Sequence, residues 1–260
     1  MAFRNLLQLL LQIAHHEIDD TATVKIAPMS ETSSSFPPPP PPMPTPSGNI
    51  LGRNISGVHT TLFASMIVSL VAAGLYFLAT INQFQVFSDM KNLNFSSDSE
   101  MMDAATQSDD FISSSYGFYF LLLLFTSVVF LVWCNKLTKN LNESGYRTEK
   151  GSGWVVGSYF VPIANFFFVF GSIKDLLTGL GKFFPSISAD HQKSMKAWWI
   201  LTIIGGLVVR ASDAAVTEES NIDDYVTTAG VEALGAVILV IGLVFGVKAF
   251  KQLRDNTKTV

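Results

Sequence analysis

Long uncharged stretches are the feature that most constrains how this chain folds. Residues 60–82 contain no charged side chain, and neither do residues 114–134. Two further apolar runs, 197–212 and 226–247, carry one charge each. About 20 apolar residues cross a hydrocarbon core roughly 30 Å thick. Because lipid offers no partner to a backbone N–H or C=O group, these four runs predict four transmembrane helices and an all-α membrane protein.

The composition agrees with a membrane protein. Charged residues make up 15% of the chain, against about 25% in a typical soluble domain, and the mean hydropathy is +0.35. The chain has no basic cluster suited to nucleic acid. We therefore expect the lipid bilayer, and not nucleic acid, to be its surroundings and partner.

A fifth apolar stretch, about 154–173, reads WVVGSYFVPIANFFFVFG over residues 154–171. Pro162 lies near its middle, where it removes a backbone donor and crowds the preceding turn. Asn165 can hydrogen-bond the carbonyl groups that this leaves unpaired. The pattern favours a proline-broken helical segment that is re-entrant or lies along the interface. The alternative is one kinked helix that crosses the membrane.

The distribution of Lys and Arg distinguishes these two interpretations. Lys and Arg concentrate in three segments, while two others are acidic and hold a single lysine, Lys91. The basic segments are 135–153, 174–196 and the tail after 247; the acidic segments are 83–113 and 213–225. Cytoplasmic segments retain Lys and Arg. If residues 154–173 return to the side they came from, all three basic segments share that side, so we predict four crossings with both termini in the cytoplasm.

The N-terminal region differs in composition from the rest. We treat residues 1–28 as a doubtful extension, either a short amphipathic helix or the product of a start codon assigned too far upstream. Residues 29–57 are predicted to be a disordered, Ser- and Pro-rich tether. Within it, Pro37–Pro46 should be extended polyproline II. This run is either a stiff linker or a docking site for protein partners. The membrane domain is predicted over 58–255.

The segment Gly153–Asn165 reads GW-x-VG-x-x-FVPIAN. With its basic flanks and the following AWWILT span, it resembles the signature of a bacterial membrane family known as domain of unknown function number 4328. The resemblance covers roughly residues 58–255. It implies a multi-span protein of the bacterial plasma (inner) membrane with no assigned activity. The residues that we assign to the re-entrant motif are Trp154, Gly157, Phe160, Pro162 and Asn165.

Two charged residues, Arg210 and Glu232, lie inside predicted spans. At 1.5 Å per residue, each is roughly 9 Å from the same boundary of the hydrocarbon core. Equal depth on consecutive helices predicts an ion pair between them. Two alternatives stay open: both side chains extend outward to water, or they take part in transport.

Small residues are spaced four apart in the last span, at Gly242 and Gly246. Such spacing lets two helices approach closely. The ridge either packs within one molecule or mediates self-association.

Motifs for chemistry are missing from the sequence. Its four histidines lack metal-ligand spacing, and no motif activates the single Cys134. We therefore expect no enzymatic activity, catalytic residue, metal or cofactor. The remaining hypotheses are a membrane scaffold or accessory subunit and, alternatively, a small oligomeric transporter or channel that uses the broken segment at 154–173.

Overall fold

The computed structural model describes residues 53–160, 162–184, 187, 189–217 and 219–257, without the side chains of 53–54, 162–168, 189 and 256–257. All of these residues belong to one compact unit, Pro46–Val260. They form helices and, over the described ranges, no strand. The helices are α1 (Arg53–Lys91), α2 (Asp98–Glu143), α3 (Ser152–Gly157), α4 (Pro162–Phe183), α5 (Ala189–Asp213) and α6 (Ile222–Thr257).

Four of these helices, α1, α2, α5 and α6, are long and apolar enough to cross a membrane. Each contains one of the four predicted spans, so the all-α membrane architecture is confirmed. The helices extend well beyond the apolar runs. Polar side chains within them bond locally or to a neighbour: the Ser69 and Thr126 hydroxyls, for example, lie 3.0 Å apart between α1 and α2.

The acidic stretch before the second span is not simply a loop, because α2 begins at Asp98. The Ser97 hydroxyl accepts a hydrogen bond from the N–H of Glu100 at 3.2 Å. In return, the Glu100 carboxylate accepts one from the N–H of Ser96 at 2.9 Å. These reciprocal bonds satisfy donors at the first turn, and acidic side chains there suit the helix dipole. The capped helix therefore starts outside the apolar run.

The predicted proline-broken segment consists of two helices, α3 and α4. The turn after α3 is closed by bonds from the N–H groups of Ser158 and Phe160 to the carbonyls of Trp154 and Gly157. Pro162 is the first residue of α4, where its missing N–H would have had no helical partner. Pro162 therefore starts a helix, and the break lies before it; α4 continues to Phe183, ten residues beyond the predicted end of the segment at 173.

The four long helices pack in the order α2, α1, α6, α5, while α4 contacts both α2 and α5. Neighbouring helices are antiparallel. At one end, Lys91 of α1 forms an ion pair with Asp223 of α6, with Nζ 2.6 Å from Oδ1. At the other end, the rings of Trp133 in α2 and Phe250 in α6 meet at 5.3 Å.

Charge distinguishes the two ends of this bundle, and we name them accordingly. The basic end holds Lys136, Lys139, Lys174, Lys182, Lys193, Lys196, Lys248 and Lys251; the acidic end holds Asp89, Asp98, Glu100, Asp213, Asp223 and Asp224. The three basic segments of the sequence thus share one end of the molecule.

The segment formed by α3 and α4 belongs to the basic end along its described length. Near its start, the Tyr159 ring contacts Phe130 of α2 and Trp199 of α5. Near its other end, Lys182 Nζ lies over the ring of Tyr146, just after α2. The segment therefore begins and ends beside the same end of the bundle, and its return within the bilayer stays a prediction.

The predictions for 1–28, for nearly all of 29–57 and for Pro37–Pro46 lie outside the described residues. The same is true of the side chains of Pro162 and Asn165.

Candidate functional site

Large aromatic side chains fill the basic end. Phe130, Trp133, Trp198 and Phe250 form what we call the aromatic plug, with ring centroids 5.3–6.1 Å apart. Aliphatic residues from α2 and α4 surround the plug and are almost fully buried: Leu137, Leu141, Ile173, Leu176, Leu177 and Leu180. The plug residues come from α2, α5 and α6, and they pack these three helices together at the basic end.

A polar contact fastens α4 beside the plug. The Tyr146 hydroxyl donates to Asp175 Oδ1 at 2.7 Å, and Asp175 Oδ2 accepts from the N–H of Glu149 at 2.8 Å. Lys182 Nζ lies 4.8 Å from the centre of the Tyr146 ring. Partial burial, together with the bond to Asp175, raises the pKa of Tyr146 to about 12, because the carboxylate stabilises the protonated phenol.

The predicted motif residues lie mostly on the outer side of this assembly. Trp154 and Phe160 are exposed, and a Cβ on Gly157 would meet nothing within 4 Å. Between them, Val155 and Ser158 face inward and are buried. The part of the motif whose side chains are described therefore presents an exposed surface as well as an inner packing face.

The glycine ridge on α6 faces α5 of the same molecule. A Cβ on Gly246 would lie 2.8 Å from Trp198, and one on Gly242 would lie 3.1 Å from Leu201. Towards the acidic end, a Cβ on Gly235 would lie 2.8 Å from Val209. The space that these glycines leave open is filled within one chain.

The predicted ion pair between Arg210 and Glu232 is not formed. Glu232 Oε1 instead accepts a hydrogen bond of 2.6 Å from the hydroxyl of Tyr76 in α1, and Arg210 is exposed on α5. Arg210 and Glu232 do lie at similar heights along the bundle, because Val209 packs opposite Gly235, one turn from Glu232. Arg210, however, lies about 100° further round its helix than Val209. It therefore turns away from α6.

An open cleft of about 210 Å³ surrounds Glu232 at the acidic end. All four long helices contribute to its lining: Tyr76 and Gln83 from α1, Ile112, Ser113 and Tyr116 from α2, Asp213 from α5 and Glu232 from α6. Two carboxylates and two phenol rings thus share one cavity, and none of its lining residues is cationic.

The sequence singled out only Glu232 among these lining residues. The sequence did contain a signal for Tyr76. A buried tyrosine hydroxyl usually has a hydrogen-bond partner, and the apolar run 60–82 contains no charged residue, so a charged partner for Tyr76 would have to lie outside that run. Asp213, by contrast, looked like one of several acidic loop residues. Its place in the cleft depends on where α5 ends.

The described residues also bear on metal and thiol chemistry. No group of three or more His, Cys, Asp or Glu side chains within them could hold a metal ion. The thiol of Cys134 is fully buried beside the aromatic plug.

A family model described as a domain of unknown function (DUF4328) matches residues 97–255, so the match begins at α2 and leaves α1 outside. No curated protein and no solved structure matches the chain.

Proposed function

The chain belongs to the DUF4328 family, and from that premise we propose that it is an accessory subunit or scaffold of a membrane assembly and not an enzyme. Four apolar helices make it a multi-pass membrane protein in contact with lipid. The scaffold role goes beyond that, and one observation carries it.

That observation is the closure of the basic end. The aromatic plug is surrounded by buried aliphatic residues. Helix α4 packs against α2 and α5, and its Asp175 is bonded to Tyr146, just after α2. A conduction path through the monomer would have to separate these side chains. Dense packing of this kind resists such separation and suits a protein that supports other subunits.

The proposed location is a bacterial plasma membrane, with the basic end and both termini in the cytoplasm. It is supported by the clustering of lysines at the end where α4 packs. Topology reporters fused after Asn142, His191 and Val260 should all report the cytoplasm. A reporter after His191 on the opposite side from one after Asn142 would contradict the orientation.

Exposed apolar faces are where a partner subunit would bind. Phe125 on α2 is 53% exposed, and Val71 on α1 is 60% exposed. A photo-crosslinking amino acid placed at each position in turn samples two different faces of the bundle. We expect one face to yield a discrete crosslinked protein and the other to yield lipid. Lipid adducts from both faces would contradict a scaffold, whereas a crosslinked second copy would indicate self-association.

The proline run offers a separate route to a protein partner. Replacing Pro37–Pro42 with Gly and Ser removes the polyproline II preference and leaves the membrane domain intact. If the run is a docking site, the partner recovered with the full chain is lost from this variant. If the run is only a tether, recovery is unchanged.

The second candidate is a small oligomeric transporter or channel. The break before Pro162 and the cleft around Glu232 favour it, because interrupted helices and intramembrane charges mark substrate sites in transporters. Flux into proteoliposomes that is abolished by Asn165→Ala or Glu232→Gln would support this role. An absence of flux for every ion and amine tried would count against it.

A further inference from the structure

The cleft at the acidic end combines features that a scaffold does not require. Glu232 and Asp213 reach it from different helices, and none of the residues lining the cleft is cationic. Lys91, at the same end, is paired with Asp223 instead. Carboxylates without a cationic partner in the cavity favour binding of a positively charged ligand.

Aromatic rings form part of the same wall. The centroids of Tyr76 and Tyr116 are 5.3 Å apart, with the ring planes tilted by 54°. Behind them, the Tyr119 ring is parallel to that of Tyr76 at 6.0 Å. The faces of phenol rings attract ammonium groups, and a site with carboxylates and rings together attracts them more than either alone.

Hydrogen bonding in and around the cleft is incomplete. The hydroxyl of Tyr76 donates a hydrogen bond to Oε1 of Glu232, and no described residue donates to Oε2. The Tyr119 side chain is only 3% exposed, yet its hydroxyl has no partner among the described residues. Buried polar groups in native proteins nearly always have a partner. Tyr119 does not line the cleft, so within the cleft it is Oε2 of Glu232 that can accept a hydrogen bond from a ligand.

The size of the cleft limits what it can hold. Its volume of about 210 Å³ is roughly the share of seven water molecules and is smaller than a drug-sized pocket. A bare Ca²⁺ or Mg²⁺ ion needs about six oxygen ligands close around it. No group of three or more His, Cys, Asp or Glu side chains among the described residues could hold a metal ion, and the rings of Tyr76 and Tyr116 stand beside the two carboxylates in the cavity wall. We infer that the cleft binds a compact organic ammonium ion, such as a short primary alkylamine, from the acidic side of the membrane.

The experiment is calorimetric titration of the full chain in mild detergent with propylammonium chloride, at constant ionic strength. For a ligand of this size we expect a Kd on the order of 1 mM. Glu232→Gln and Asp213→Asn should each weaken binding at least tenfold. Glu219→Gln is the matched control, because it removes one negative charge at the same end but does not line the cleft.

A second pair of variants tests the aromatic wall. Tyr116→Leu should weaken binding several-fold, whereas Tyr116→Phe keeps the ring and should leave binding nearly unchanged. Circular dichroism establishes that each variant is folded. If Glu232→Gln does not fold, Asp213→Asn still tests the site, because Asp213 is an exposed residue at the end of α5.

Three results would overturn the inference. The first is that propylammonium gives no saturable heat. The second is that Asp213→Asn and Glu219→Gln bind the amine equally well. The third is that calcium binds with the same sensitivity to the variants, while the amine does not bind. The inference does not rest on the proposed scaffold role, because amine binding is measured without any partner protein.

Discussion

The two ends of the bundle are packed with different kinds of side chain. At the basic end, the buried residues include Trp133, Trp198 and Phe250, surrounded by leucines. Towards the acidic end, they include Ala72, Ala73 and Ala236, together with Tyr76 and Tyr119. Large interlocking side chains fill the first region, where the buried His59 ring also packs against Trp133 and Phe250. Smaller ones let the helices approach in the second, where carboxylates and phenols line an open cleft. We therefore expect stability to be concentrated at the basic end, and the acidic end to be the one available for binding.

The largest effect should come from the aromatic plug. Trp133 is 1% exposed, whereas Phe120 on the same helix is 50% exposed. Trp133→Ala leaves a cavity and should lower the free energy of unfolding by about 3–5 kcal/mol. Phe120→Ala, the control, should change it by less than about 1 kcal/mol, since a lipid-facing side chain is not buried in protein. Thermal unfolding followed by circular dichroism measures both. Equal losses of stability would show that the buried Trp133 contributes no more than the exposed Phe120.

The next effect tests the contact between α5 and α6 with two neighbouring glycines. A Cβ on Gly205 would lie 2.8 Å from Leu239 Cγ and 3.0 Å from its backbone nitrogen, whereas one on Gly206 would meet nothing within 4 Å. Gly205→Ala should therefore cost about 1–3 kcal/mol through overpacking. Gly206→Ala should stabilise the helix by up to about 1 kcal/mol. If both variants melt at the same temperature, the helices are not in the close contact described.

The polar contact at the acidic end should matter less. Tyr76→Phe removes the hydroxyl that bonds Glu232 and should cost about 1 kcal/mol, since interhelical hydrogen bonds in membrane proteins contribute modestly. A double-mutant cycle with Glu232→Gln isolates the pair. A cost for Tyr76→Phe that is the same with Glu and with Gln at 232 would argue that the charge of the carboxylate adds nothing.

The smallest effect concerns the Tyr146–Asp175 contact at the basic end, and it depends on pH. The folded-state pKa of Tyr146 is raised to about 12, above the usual value of about 10. The stabilisation is therefore complete below pH ~10 and is lost as the pH rises towards ~12. Tyr146→Phe should lower the melting temperature slightly at pH ~8 and should remove this part of the alkaline loss. If the variant loses as much stability at alkaline pH as the parent protein does, groups other than Tyr146 cause that loss.

The sequence predicted which segments form helices better than it predicted which side chains each helix turns towards its neighbours. Apolar runs were enough for four spans, because hydrocarbon thickness acts on the chain locally. The return of the segment at 154–173, which the distribution of lysines favours, stays a prediction. The height of Glu232 along the bundle, level with the end of α5 near Val209, also followed from its position in the span. Its partner did not, because the choice between Arg210 and Tyr76 depends on how each helix is rotated about its axis. That rotation is set by packing, such as Gly235 against Val209, which spacing along one chain does not reveal.

The helix boundaries were harder to predict for a similar reason. Pro162 was expected to interrupt a helix, but it begins one, since a proline signals a break without saying on which side the helix lies. Asp213 joined the cleft only because α5 ends at that residue. These details depend on capping and on neighbouring helices.

The distribution of tryptophans has a practical consequence for spectroscopy. All four, Trp133, Trp154, Trp198 and Trp199, lie at the basic end, whereas tyrosines line the cleft. Intrinsic tryptophan emission will therefore follow events in one half of the molecule and remain almost silent about the other. A tryptophan introduced at Phe84, which lies on the half of α1 nearer the acidic end, would supply the missing optical probe and allow the two halves to be watched separately as the protein unfolds.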